Sequence, residues 1–133
     1  MKSYTDLEQS KKLAKILPIE SADMCLTISQ FRRMVPLMTP YSKFKDNEFF
    51  NTGETPDFLI PCWSLAALLN YLREIDFFPE IDADESTITM NINYYDKEEE
   101  DLLIPIHNIK VKAENFIDAC YKMIDKLYEE KIL

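Results

Sequence analysis

The sequence predicts an α+β fold from three observations: apolar residues recur at helical spacing in three stretches, they alternate in a fourth, and turn-forming residues separate the stretches. We expect a small antiparallel sheet that includes a β-hairpin at about 86–95 and 102–111. Three helices, at about 6–17, 62–75 and 115–131, are expected to pack on one face of this sheet.

Each predicted helix has a start signal or an apolar stripe. Thr5 and Glu8 have the Thr-x-x-Glu spacing of a capping box, and Pro18 ends the helix that follows. Asn115 is a suitable N-cap for the last helix. The second helix is predicted from a stripe of leucines on one side, Leu65, Leu68, Leu69 and Leu72.

The hairpin is predicted from alternation. In "TITMNINYY" the apolar residues from Ile88 to Tyr94 occupy every second position, which is typical of a strand with one buried face. "LLIPIHNIKVKA" returns as the second strand, but its apolar phase changes near His107 and Asn108, where we expect a bulge or a break. Residues 24–31 predict one further strand, and the acidic stretch "EIDADES" before the hairpin predicts a turn.

Residues 36–61 predict a long irregular loop within a single domain that spans 1–133. The segment holds four prolines and Gly53, yet it also holds several aromatic side chains that would not remain in water. We therefore expect it to pack on the body of the domain with a short extra element.

Composition excludes several classes of protein. Gly53 is the only glycine, and phosphate-cradling loops of the Walker or Rossmann kind need several. The N-terminus has no apolar signal region, and the longest purely apolar run, Leu65–Leu69, is too short to cross a membrane. We expect a cytoplasmic protein whose three cysteines are reduced.

The charge is unevenly distributed along the chain. Residues 1–45 hold eight basic and four acidic residues, whereas residues 46–101 hold two basic and fifteen acidic residues. General affinity for nucleic acid or anionic membrane is therefore not expected. Two narrower hypotheses stay open: a nucleic-acid surface built on Arg32, Arg33, Lys43 and Lys45, or an acidic surface that imitates a nucleic acid.

Cys62 is the first candidate for chemistry. It lies where the second helix is predicted to begin, and a helix N-terminus can lower the pKa of a thiol. A base for it could only be His107, the single histidine. The alternative is that Cys62 is a small apolar residue at the edge of the core, and its position on the helix favours this alternative.

Neither a metal nor a cofactor is predicted. The three cysteines, Cys25, Cys62 and Cys120, are widely spaced along the chain, and structural zinc sites draw their ligands from close pairs. The acidic run 96–101 does not have the alternating carboxylates and the glycine of an EF-hand loop.

Trp63 is the first candidate for partner binding. On the predicted helix it points away from the leucines, so it either packs under the aromatic loop or forms an exposed anchor for a partner. We expect a non-enzymatic protein that binds a protein partner or itself. The expected contact region consists of Trp63 and four aromatic residues of the loop. These are Tyr41, Phe44, Phe49 and Phe50.

Three stretches resemble a family of short proteins from genomes and mobile elements of gut Bacteroides and their relatives. They are the opening "YTDLEQSKKLAKILPIESADM", the central "IPCWSLAALL" and the closing "FIDACYKMIDKLYEEKIL". The family has no established activity, so the resemblance implies an accessory bacterial protein and supplies no catalytic residues.

Overall fold

The computed structural model describes residues 2–28, 34–40, 59–94 and 107–133. These residues form two compact units. The first unit falls within Ser3–Leu68, and the second falls within Leu69–Leu133 and includes Lys2. The single domain predicted over 1–133 stays a prediction.

The first unit contains one short α-helix, a turn of 3-10 helix and three strands among the described residues. In chain order these are α1 (Leu7–Leu13), the 3-10 turn (Ile19–Ser21), β1 (Met24–Ile28), β2 (Met34–Leu37) and β3 (Leu59–Cys62). The helix is shorter than the predicted 6–17, because residues 14 to 16 form turns beyond it.

The strands of the first unit form an antiparallel sheet in the order β2-β1-β3. Pro36 lies in β2 and Pro61 in β3, so both prolines occupy strands that flank the central β1. An outer strand tolerates proline because one side of its backbone has no ladder bond to lose. Strand pairing thus replaces both ends of the loop predicted at 36–61, and residues 41–58 lie outside the described part.

The N-cap of α1 lies one residue later than predicted. Asp6 accepts a hydrogen bond from the Gln9 N–H at 2.9 Å, and the Gln9 side chain accepts one from the Asp6 N–H at 3.2 Å. The capping box is therefore Asp6 with Gln9, and the predicted pair of Thr5 and Glu8 is wrong. Thr5 cannot cap the helix because its hydroxyl is buried in tertiary hydrogen bonds.

The second α-helix, α2, is Leu65–Glu74. Ser64 caps its start, since the Ser64 hydroxyl accepts from the Ala67 N–H at 3.2 Å. Its end is a left-handed residue, Asp76, with φ of 64°. The prediction of a helix from 62 was three residues too early, because Cys62 belongs to β3 and Trp63 to the connection.

The second unit contains a three-stranded antiparallel sheet in the order β4-β5-β6 and one long helix. The elements are β4 (Glu80–Ala83), β5 (Ile88–Tyr94), β6 (His107–Ala113) and α3 (Phe116–Glu129). The pairing of β5 with β6 confirms the predicted hairpin. The part of the predicted strand at 102–106 lies outside the described residues.

The core of the second unit lies between one face of this sheet and α3, which packs on β5 and β6. Asn115 caps α3 as predicted, with its side-chain oxygen accepting from the Asp118 N–H at 2.8 Å. The buried side chains alternate along the strands and recur along the helix. They are Ile88, Met90, Ile92, Ile109, Val111, Ala113, Ile117, Ala119, Cys120, Met123, Ile124 and Leu127.

The α+β class is confirmed, with three α-helices and two small antiparallel sheets in the described residues. The strands are divided differently from the prediction of one sheet. The strand predicted at 24–31 is β1, and it pairs with β2 and β3 in a sheet separate from the hairpin. The strand β4 was missed because "EIDADES" was interpreted as an acidic turn.

Candidate functional site

Cys62 ends β3 and is fully buried. It packs with Met24 and Leu26 of β1, and Tyr4, Leu7 and Ile60 surround this apolar group. The local sequence explains the position: β3 pairs with β1 so that Cys62 lies opposite Met24, on the face of the sheet that carries the core.

Two hydroxyl groups share the interior with the Cys62 thiol. Thr5 Oγ1 and Ser10 Oγ are 2.7 Å apart, and both residues are fully buried. The Cys62 thiol donates to the Thr5 carbonyl at 3.4 Å, and Thr5 Oγ1 lies 3.6 Å from the sulfur. Thr5 also bonds to the backbone of Trp63. The Thr5 N–H donates to the Trp63 carbonyl at 3.0 Å, and the Thr5 hydroxyl accepts from the Trp63 backbone N–H at 3.1 Å. We call Thr5, Ser10 and Cys62 the hydroxyl–thiol cluster.

The hydroxyl–thiol cluster does not activate its thiol. Burial raises the pKa of Cys62, and hydrogen bonds from Thr5 and Ser10 only partly offset this because the Asp23 carboxylate also raises it. A thiol with a raised pKa stays protonated at neutral pH and is a poor nucleophile. The cluster therefore joins the N-terminal segment to the end of β3, which is a structural task.

His107 is the base predicted for Cys62. His107 is the first residue of β6 in the second unit, and its side chain lies outside the described part of the structure. The dyad of Cys62 and His107 therefore stays a prediction. The burial of the Cys62 sulfur and its raised pKa are the findings that bear on it.

The other two thiols are buried as well. Cys25 donates to the Thr39 carbonyl at 3.3 Å, and burial raises its pKa to about 11. Cys120 lies in the apolar core of the second unit, where burial raises its pKa to about 12. All three cysteines are free thiols, and in the described residues no group of three or more His, Cys, Asp or Glu side chains could hold a metal ion.

Trp63 is fully buried, so the interpretation of this residue as an exposed anchor is wrong. The indole N–H donates to the Ser21 hydroxyl at 2.9 Å, and the Ser21 hydroxyl donates to the Pro18 carbonyl at 2.5 Å. A buried indole usually needs such a partner for its N–H. Trp63 precedes the first residue of α2, so its orientation does not follow the helical periodicity of the leucines.

Asp23 organises the start of α2. One carboxylate oxygen accepts from the Ser64 N–H at 2.9 Å, and the other accepts from the Ser64 hydroxyl. The same hydroxyl accepts from the Ala67 N–H, so Asp23 fixes the rotamer of the capping serine. This pair of a serine and a carboxylate is a helix cap with a supporting residue.

The remaining predicted site residues lie outside the described part of the structure. This holds for the aromatic loop residues Tyr41, Phe44, Phe49 and Phe50, and for the basic residues Arg32, Arg33, Lys43 and Lys45. Their roles in partner or nucleic-acid binding stay predictions.

The outer strand of the second unit is the candidate site that the sequence did not suggest. All four residues of β4 are exposed, and they pair on one side with β5. Phe78, two residues before β4, is 65% exposed, and Ile81 within it is 40% exposed. We call residues 76–83 the β4 edge. The available signal was the alternation of acidic and apolar residues in Glu80–Ala83, which is a strand pattern.

The turn after β4 is rigidly bonded. Asp84 Oδ1 accepts from the Ser86 N–H at 2.9 Å and from the Thr87 N–H at 2.7 Å, and the Asp84 N–H donates to the Thr87 carbonyl at 3.0 Å. The first two bonds lower the pKa of Asp84, because they favour its charged form. These bonds in the turn between β4 and β5 thus hold β4 in a fixed register on β5.

Comparison with protein-family models, with curated proteins and with solved structures finds no match for the chain. No helix in the described ranges has both the length and the apolar character needed to cross a membrane.

Proposed function

We propose that the protein acts by binding another protein and has no catalytic activity of its own. We further propose that it is a cytoplasmic accessory protein of a bacterial genome or mobile element, and the resemblance to Bacteroides proteins supports this part. The observation that carries the proposal is the exposure of Phe78 and Ile81 at the outer strand of a sheet.

Single exposed apolar residues are common on protein surfaces, so exposure alone would be weak support. At the β4 edge, however, an aromatic and a branched aliphatic side chain lie three positions apart along one strand and its lead-in. An outer strand also presents unpaired backbone groups, which favour pairing with another chain. Apolar anchors beside such a backbone are typical of a protein-binding surface.

The arrangement of the thiols supports the absence of catalysis. A cysteine nucleophile needs access to its substrate and a lowered pKa. Cys25, Cys62 and Cys120 are instead buried with raised pKa values.

The test is affinity capture from a nuclease-treated Bacteroides lysate, followed by quantitative mass spectrometry. We expect a protein that the wild type captures and that a double variant, Phe78→Ser with Ile81→Ser, does not. The matched control is Met38→Ser, because Met38 is also an exposed apolar residue but belongs to the first unit.

Sedimentation of the purified wild type and the double variant tests self-association by the same surface. The proposal is contradicted if no captured protein depends on Phe78 and Ile81 and if the wild type and the variant sediment alike as monomers.

A further inference from the structure

The outward backbone groups of β4 can be assigned from the hairpin. The Asp84 N–H bonds to the Thr87 carbonyl, and in an antiparallel ladder the backbone groups of successive residues point to opposite sides. Asp84 directs its backbone groups towards β5, and so do Asp82 and Glu80, which lie two and four positions before it. Ile81 and Ala83 therefore direct theirs away from the sheet.

A contact at the opposite edge of the same sheet confirms this phase. Thr89 pairs with Asp82 on one side and with Lys112 on the other. Since Thr89 directs its backbone groups towards β4, the Lys112 carbonyl must point away from β5. That carbonyl accepts a hydrogen bond from Lys122 Nζ at 2.9 Å. The β6 edge thus has a side-chain cover.

At β4 the described residues provide no such cover: none bonds to the outward backbone groups of Ile81 and Ala83, and both residues are exposed.

The apolar face of the sheet also extends beyond the strands that the helix covers. Ile81, Met90 and Val111 form one row across β4, β5 and β6. Met90 is 0% exposed and Val111 is 8% exposed, whereas Ile81 is 40% exposed. A strand added beside β4 would continue this row and bury Ile81.

The charge of the segment selects among possible occupants. Residues 74–85 contain six acidic and no basic residues, and all six acidic residues are exposed. Glu80 and Asp82 lie on the face of the sheet opposite Ile81, because side chains alternate along a strand. A second copy of β4 would bring like charges together across the new pair, which is destabilising. A basic strand would bring opposite charges together.

We propose that the β4 edge binds an extended basic segment of a partner protein by strand addition. The segment forms backbone hydrogen bonds with Ile81 and Ala83. Its apolar side chains lie on the face of Ile81, and its Lys or Arg side chains lie on the face of Glu80 and Asp82. This inference rests on the proposed function and names the chemistry of the partner.

The test uses a synthetic peptide of alternating lysine and valine, about six residues long, the usual length of a strand. Binding is followed by amide chemical shifts of the isotope-labelled full chain. We expect the largest shifts at Ile81 and Ala83 and weaker binding as salt is added. A peptide of alternating glutamate and valine is the charge control and should not bind.

Two changes test the backbone bonds directly. Methylation of the peptide's backbone nitrogens removes its donors and should weaken binding by about tenfold or more. Ala83→Pro removes an outward donor that β5 does not use, and it should weaken binding by about fivefold or more. Ala83→Val keeps the N–H and is the matched control. The methylated peptide keeps the test decisive if the proline variant does not fold.

Equal binding of the methylated and unmethylated peptides would overturn the inference, because attraction by charge alone would then account for the binding. Self-association of the wild type that is lost in Ala83→Pro would also overturn it, in favour of a second copy. A captured host protein that requires Phe78 and Ile81 but tolerates Ala83→Pro would overturn this inference and leave the proposed function intact.

Discussion

The hydroxyl–thiol cluster of the first unit and the β4 edge of the second unit place polar and apolar groups in opposite ways. In the cluster, the polar side chains of Thr5, Ser10 and Cys62 are inside the protein and bonded to one another or to the backbone. At the β4 edge, apolar side chains are outside, and backbone groups face solvent. The thiol and hydroxyl groups of the cluster are therefore buried, whereas the β4 edge is the exposed surface at which we propose binding.

The largest expected difference between the two regions is in the unfolding of aromatic variants. Trp63→Ala should lower the free energy of unfolding by about 3–5 kcal/mol, because it leaves a large cavity and removes the bond to the Ser21 hydroxyl. Phe78→Ala should change it by no more than about 0.5 kcal/mol, since Phe78 is mostly in solvent. Urea unfolding followed by circular dichroism measures both. Similar losses would show that the β4 edge is part of the core.

The buried hydroxyl of Thr5 should contribute to the free energy of unfolding through its hydrogen bonds. Thr5→Val keeps the shape of the side chain, but it leaves the buried backbone N–H of Trp63 without its acceptor. It also removes the hydroxyl that bonds to the Ser10 hydroxyl. We expect a loss of about 1–3 kcal/mol in the free energy of unfolding.

The control for Thr5 is Thr87→Val, at the turn between β4 and β5, where the hydroxyl is exposed and, among the described residues, makes only a long contact to Ser86. The same urea titration should show a change of no more than about 0.5 kcal/mol. Equal effects of the two substitutions would mean that the Thr5 hydroxyl stabilises nothing.

The buried thiols predict a loss of stability at alkaline pH. Burial raises the pKa of Cys120 from 9.0 to about 12. From pH 9 upward the unfolded chain loses a proton that the folded protein retains, so the free energy of unfolding falls as the pH rises through this window. Below pH 9 the contribution of Cys120 does not vary with pH.

Cys120→Ala isolates this contribution. The variant should show a pH slope that is smaller by about 1.4 kcal/mol per pH unit above pH 9, measured by urea unfolding at successive pH values. Identical slopes in the wild type and the variant would show that Cys120 ionises freely in the folded protein. A small thiol reagent should likewise label the native protein far more slowly than the unfolded chain.

The elements that the sequence predicted well are those with one strong, local signal. The last helix has its apolar residues on one side and Asn115 at its start, and the structure has α3 at Phe116–Glu129. The alternation from Ile88 to Tyr94 likewise corresponds to β5. In both cases the periodicity alone determines which face is buried.

The strands that were missed carry local signals against a strand, and only their pairing in the sheet overrides those signals. β2 and β3 each contain a proline, and only their outer positions beside β1 make this acceptable. Likewise, Thr5 was assigned to a helix cap because its bond to Trp63, 58 positions away, leaves no local trace in the sequence. The exposed surface at Phe78 was missed because β4 was interpreted as a turn.

The smallest expected effect concerns the acidic residue that ends α2. Asp76 adopts a left-handed conformation with φ of 64°, which glycine adopts without a steric penalty. Its N–H donates to the Arg73 carbonyl at 3.0 Å, so its carboxylate also lies near the negative end of the helix dipole. Asp76→Gly should therefore raise the free energy of unfolding by about 0.5–1 kcal/mol in urea titrations.

Asp76→Asn separates the two causes of this gain, because asparagine tolerates the left-handed conformation and removes only the charge. We expect it to give part of the gain, and both variants to bind the lysine–valine peptide about twofold more weakly at low salt. A more stable protein with weaker binding would indicate that the acidic character of the β4 edge serves recognition at the expense of stability. A gain in stability with unchanged binding would show that Asp76 does not belong to the binding surface, which would then consist of β4 alone.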